Sequence, residues 1–167
     1  MKSYSKGFTV VELLVAMAVF ASLLTISSGV FIRSLRTQRV IVALIAANSN
    51  AGLAMEQIMR EIRTGSGFAT NQSSLTFTNA KGQTVTYRWN NAPTVLAIER
   101  STDGINFQKI TANNVKVYNL RFELFNGSPA DPYPMRVTLV LQIGATNIIS
   151  DNPVVNIQTT VSARTLE

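Results

Sequence analysis

Residues 8–32 read FTVVELLVAMAVFASLLTISSGVFI, and the fold follows from how this stretch is read. Among its residues only Glu12 ionises. A helix through the whole run rises roughly 37 Å at ~1.5 Å per residue, enough to cross a hydrocarbon core of ~30 Å. A carboxylate inside such a helix costs on the order of 2.5–3.5 kcal/mol on insertion scales, so it needs a partner or a purpose. The segment before the run, Met1 to Gly7, carries Lys2 and Lys6 and no acid.

Two general readings leave something unexplained. A secretory signal cut after Ala16-Met17-Ala18 puts Glu12 inside the apolar region and leaves Val19 to Ile32 as an exposed apolar end. A plain single-span anchor, with Glu12 snorkelling toward the headgroups, accounts for the run but not for the Gly7-Phe8 junction.

The stretch Lys6-Gly7-Phe8-Thr9-Val10-Val11-Glu12-Leu13-Leu14-Val15-Ala16 resembles the start of type IV pilins and type II secretion pseudopilins. The resemblance implies that prepilin peptidase cuts after Gly7 and methylates the new amino terminus at Phe8. Glu12 is then the fifth residue of the mature chain, and in the family that glutamate meets the terminal amine of the adjacent subunit during assembly. Many major pilins carry proline where this chain has Gly29, so the resemblance suggests a softer weak point in the helix there. A glycine tolerated by lipid, common in membrane helices, explains Gly29 equally well.

Removing an anchor of about 25 residues leaves room for one globular unit of ordinary size. The formal charge of +6 falls to +4 when Lys2 and Lys6 leave with the leader, and the excess is concentrated in Arg33, Arg36, Arg39, Arg60 and Arg63. Basic residues beside an apolar run suit lipid phosphates better than nucleic acid. There is no cysteine and no histidine, hence no disulfide, thiolate nucleophile or imidazole ligand. Many major pilins close a C-terminal loop with a disulfide; its absence favours a minor subunit.

The helix is expected to continue from the membrane half (8–32) through an amphipathic half (33–64). Met55, Ile58, Met59 and Ile62 follow the spacing of one buried stripe, with Glu56 placed to pair with Arg60. Thr64-Gly65-Ser66-Gly67 ends it, with Gly65 or Gly67 suited to a left-handed cap. From Phe68 onward the period changes to two: Leu75/Phe77, Val85/Tyr87/Trp89, Leu120/Phe122/Leu124, Val137/Leu139/Leu141/Ile143 and Val155/Ile157/Thr159/Val161. Weaker strands lie near 95–100, 105–110 and 115–118. About seven strands after one long helix give an α+β fold, the helix laid on an antiparallel sheet. Val137 to Ile143 and the Met55–Ile62 stripe, each the most regular apolar face of its element, should face each other.

Met59-Arg60-Glu61-Ile62-Arg63 and Thr159-Thr160-Val161-Ser162-Ala163-Arg164 are similar to stretches of the J-type minor pseudopilins, and W-type minor pilins share them. The J type implies a place in a tip complex of pilin-like partners that starts a filament. No catalytic or cofactor site is expected, and no metal site. Asp103-Gly104 reads as a hairpin turn, and the loop 126–134, with Asp131 alone ionised, is too poor in oxygen ligands for calcium. The expected function is structural: a peptidase-processed subunit anchored by one pass in the cytoplasmic membrane, its head (65–167) outside the cytoplasm. The alternative is a DNA-binding minor pilin using Arg60, Arg63, Lys81, Arg88, Lys109 and Lys116. Against that, Tyr87 and Trp89 alternate as buried residues and not as stacking platforms.

Overall fold

The computed structural model describes residues 7–125, 134–146 and 153–164. Among the described residues one helix, α1 (Val10–Arg63), is followed by eight strands, in agreement with the α+β reading and one more than the roughly seven expected. The chain divides into two compact units, Met1–Ile41 and Val42–Glu167, each described by itself below.

In the first unit every described residue from Gly7 to Arg39 is exposed. Phe20, Leu23, Ile26 and Phe31 each expose 60% or more of their surface. Apolar area on that scale is unstable in water, and this helix is long and apolar enough to cross a membrane. Its few hydroxyls find partners on their own helix. Ser22 Oγ donates to the Ala18 carbonyl at 2.8 Å and Thr25 Oγ1 to that of Ala21 at 2.9 Å. Polar groups satisfied in this way are tolerated in hydrocarbon. The helix passes Gly29 and Gly52 without a break.

The second unit holds the rest of α1 and all the strands. β1 (Ser66–Thr70), β2 (Ser74–Thr78), β3 (Thr84–Asn90), β4 (Ala97–Ser101) and β5 (Gln108–Lys109) form one antiparallel sheet in chain order. β6 (Val115–Phe125), β7 (Arg136–Ala145) and β8 (Val154–Ser162) form a second. The expected single sheet is therefore two. The division falls where β5 shortens to two residues and the chain turns through Thr111 to Asn114 into β6. The sheets meet along β6: Val117 N–H donates to the Leu96 carbonyl at 2.7 Å, and Phe122 N–H to that of Gln72 at 2.8 Å.

Both sheets and the helix share one core. α1 contributes Ala47, Ala51, Met55, Ile58 and Ile62, with small alanines where its first turns in this unit come close. Val137, Leu139, Leu141 and Ile143 are fully buried in the same cluster, so the expected parity of β7 is correct. Met59, at the edge of the stripe, is half-buried against Thr159, whose Oγ1 lies 3.6 Å from the Met59 sulfur.

Four local expectations need correction. The strands read near 115–118 and 120–124 are one strand, whose pairing with β7 slips between Val117 and Asn119. The inserted residue switches parity, so Val115, Val117, Leu120 and Phe122 all reach the core. The strand read at 95–100 begins at Ala97, because Leu96 (φ 40°) closes a turn onto the Ala92 carbonyl. The strand read at 105–110 is only Gln108–Lys109, because Asp103 accepts the N–H groups of Ile105 and Asn106 and holds that segment as a loop. Finally, no glycine caps α1 in the left-handed region. The last turn tightens instead, Thr64 N–H bonding to Glu61 O and Gly65 N–H to Ile62 O. Gly65 is required by space: a Cβ there would stand 2.6 Å from Phe77 Cδ2. Gly67 (φ 64°) serves a bulge inside β1, where the register with β2 slips between Ser66 and Ala69.

Candidate functional site

The first turn of α1 is built around Glu12. Thr9 stands just ahead of the helix, and its Oγ1 accepts from the Glu12 N–H at 3.2 Å. The Glu12 carboxylate reaches back: Oε2 accepts the Thr9 N–H at 3.3 Å and the Thr9 hydroxyl at 3.4 Å. This is a reciprocal capping box, and it satisfies two of the amides that a helix start leaves without partners. The negative charge also lies at the positive end of the helix dipole. Thr9-x-x-Glu12 is the sequence signal for it, and reading the glutamate only as a membrane charge missed it.

One residue before the cap, Phe8 is 87% exposed, and Gly7 has open space around it. The Gly7-Phe8 bond thus lies in non-helical chain ahead of the first turn. Glu12 Oε1 has no partner among the described residues, so the carboxylate keeps acceptor capacity beyond its own helix. Gly29 lies in the exposed helix, and a Cβ added there would meet nothing within 4 Å.

In the second unit the structure brings together the two stretches singled out near residues 59–63 and 159–164. The Arg164 N–H donates to the Arg63 carbonyl at 2.9 Å, and Ile62 and Val161 share the core. Beside them Glu61 takes a forked bond from Arg100, 2.9 Å from Nη2 and 3.3 Å from Nε, tying α1 to β4. Tyr87 lies under this pair, and burial, followed by the Glu61 charge, pushes its phenol far above the usual range. The cluster is a fastening between helix and sheet.

The cations considered for DNA are scattered and several are engaged. Arg60 pairs with Glu56 and Arg88 with Glu99, both at 2.7 Å, and Lys109 donates to Asn113. Arg63 and Lys81 are exposed, and Lys116 is half-buried. Tyr87 is buried, while Trp89 is half-buried with its Nε1 donating to the Val117 carbonyl at 3.0 Å. Tyr87 is therefore no stacking platform, and the Trp89 indole is anchored to β6.

Among the described residues no three acidic or sulfur or imidazole groups converge as metal ligands. The loop read for calcium lies outside the described residues up to Tyr133. Asp103 is occupied by its own turn, where the Asn106 and Ile105 amides and the Ser101 hydroxyl hold its carboxyl well below the usual range. An open groove of about 600 Å3 beside Gly65, Phe68 and Met135 has one ionisable side chain, Arg164, among the described residues that line it.

A capped, exposed apolar helix running into an antiparallel β head is a pilin-like architecture. Residues 2–28 match the family model of the prokaryotic N-terminal methylation motif. That match takes in Gly7, Phe8 and Glu12, stops one residue short of Gly29, and indicates a type IV pilin-like prepilin-peptidase substrate. It points to a structural subunit. No curated protein and no solved structure matches the chain.

Proposed function

We propose that the chain is a minor pilin-like subunit of a type II secretion or type IV pilus filament, most similar to the J-type pseudopilins. Residues 1–7 are the leader, 8–32 the membrane and filament-core half of the helix, 33–64 its amphipathic half, and 65–167 the head. Prepilin peptidase cuts between Gly7 and Phe8 and methylates Phe8. The subunit waits in the cytoplasmic membrane with its head outside the cytoplasm, then joins other pilin-like subunits. One observation carries the reading: the methylation motif runs into a helix that is exposed from its start to Arg39, and the one acid in that exposed stretch, Glu12, stands in its first turn.

Glu12 has two roles in this account. It caps its own helix through Oε2, and its other oxygen meets the terminal amine of a neighbouring subunit, whose unperturbed pKa of roughly 7.7–8 leaves it largely protonated at neutral pH. A subunit lacking the charge leaves that amine buried without a partner. Two substitutions separate the roles, because glutamine serves a capping box and valine does not. Glu12→Gln and Glu12→Val should both insert and be cleaved, and both should be depleted from filaments or tip complexes isolated with their partners. Wild-type incorporation of Glu12→Gln would reduce the residue to a helix cap. Absence of the wild-type chain from any such assembly would remove the proposed function.

A further inference from the structure

We propose that Arg33, Arg36 and Arg39, together with Gly29, form a one-sided receptor for an anionic phospholipid headgroup in the leaflet next to the head. The three arginines are exposed, and no acid stands in the chain between Glu12 and Glu56. None of their guanidinium groups has a partner among the described residues. They begin one residue after the apolar run ends at Ile32.

Helix geometry confines them to one side. At ~100° and ~1.5 Å per residue, steps of three place them on an arc of about 120° and along about 9 Å of the axis. The axial spread is close to the headgroup layer, which is roughly 5–8 Å deep on each side of a bilayer. The opposite face carries Ser34, Gln38 and Ile41, uncharged and free to meet other helices. Gly29 lies four residues before Arg33 and seven before Arg36, hence on the arginine side. Helical side chains lean toward the N-terminus, so Arg33 and Arg36 overhang Gly29. A Cβ added at Gly29 would meet nothing within 4 Å, so the glycine leaves open backbone surface on the arginine side.

The chemistry selects a phosphate with net negative charge. Planar guanidinium forks fit phosphate oxygens in pairs. A zwitterionic headgroup brings its own cation and repels the third arginine. Continuity with the apolar run selects a lipid phosphate over a free one, because the arginines stand where the apolar run ends. The inference rests on the proposed function only in taking residues 8–32 to cross the bilayer.

The test uses the full-length chain. Flotation with phosphatidylcholine vesicles first establishes membrane insertion, and failure to float would overturn both the span and this site. Native mass spectrometry of the micellar protein then compares retained phosphatidylglycerol with retained phosphatidylcholine of the same acyl chains. We expect a preference of about tenfold or more for phosphatidylglycerol, given three cations at the surface. R33Q/R36Q/R39Q should abolish it, Gly29→Leu should weaken it with every charge kept, and R63Q/R164Q should leave it unchanged. Inorganic phosphate at equal concentration should not displace the lipid. Equal retention of the two lipids would overturn the proposal while leaving the span intact. Undiminished retention by the triple variant or by Gly29→Leu, or displacement by inorganic phosphate, would do the same.

Discussion

Gly65→Ala isolates one contact on which the second unit depends. The added methyl carbon would sit 2.6 Å from Phe77 Cδ2 and 3.1 Å from its Cε2, against an ordinary carbon contact of ~3.5–4.0 Å. Phe77 has no room to swing: it is 1% exposed and stacks on Phe68 at 5.3 Å and on Tyr87 at 6.2 Å. The Glu61 carbonyl at 3.2 Å blocks retreat on the other side. Overpacking of this kind costs about 1–3 kcal/mol, offset by about 0.4–1 kcal/mol from the stiffer unfolded chain. A net loss of about 1–2 kcal/mol lowers Tm by roughly 4–8 °C for a unit of this size. Trp89 is the single tryptophan and is half-buried, so its fluorescence reports melting of the full chain in detergent. Phe77→Leu in the same chain should relieve the clash, giving a combined loss smaller than the two single losses added. If Gly65→Ala melts within about 1 °C of wild type, or the pair is strictly additive, the packing argument is wrong.

Leu139→Ala, in the fully buried row of β7, should cost about 2–5 kcal/mol by the same melting assay, and a near-neutral result would place that row outside the working core. Stability should also fall in acid. Burial alone would raise the Glu99 carboxyl, but hydrogen bonds from Asn90 and Arg88 and the Arg88 charge outweigh it and hold it below its ordinary value. A depressed carboxyl contributes stability that is present above its unfolded pKa of roughly 4.3 and is lost as pH falls through the folded value. Melting of Glu99→Gln should therefore depend less on pH below about 4 than wild type does, and identical acid limbs would show that the Arg88–Glu99–Asn90 cluster contributes nothing.

What was legible in the sequence was whatever repeats. The 3.6-residue stripe through Met55, Ile58 and Ile62 and the two-residue alternation of β7 needed no tertiary knowledge to be placed. What was missed depends on a single residue or on distance along the chain. One bulge residue between Val117 and Asn119 merged two expected strands, since it restores parity that alternation alone cannot carry across. Gly65 looked like a cap, because its neighbour Phe77 is distant in sequence and supplies the real constraint. The division into two sheets depends on where β5 stops, at Lys109, before the turn through Thr111 to Asn114, while the polar turn around Asp103 sets only where β5 begins. At the N-terminus the motif singled out Gly7, Phe8 and Glu12 as candidates, and the family match spans all three. The Thr9 half of the capping box was present in the letters, but a lone charge in an apolar run speaks first of the membrane.

Processing at Gly7-Phe8 is the step on which assembly as a pilin-like subunit depends. The most direct measurement is the intact mass of the protein isolated from cells that hold the peptidase, together with the mass of its N-terminal peptide. A chain that begins at Phe8 and carries one added methyl group on its amine is the expected result. A mature protein that retains Met1 to Gly7, or that begins after Ala18, would contradict it.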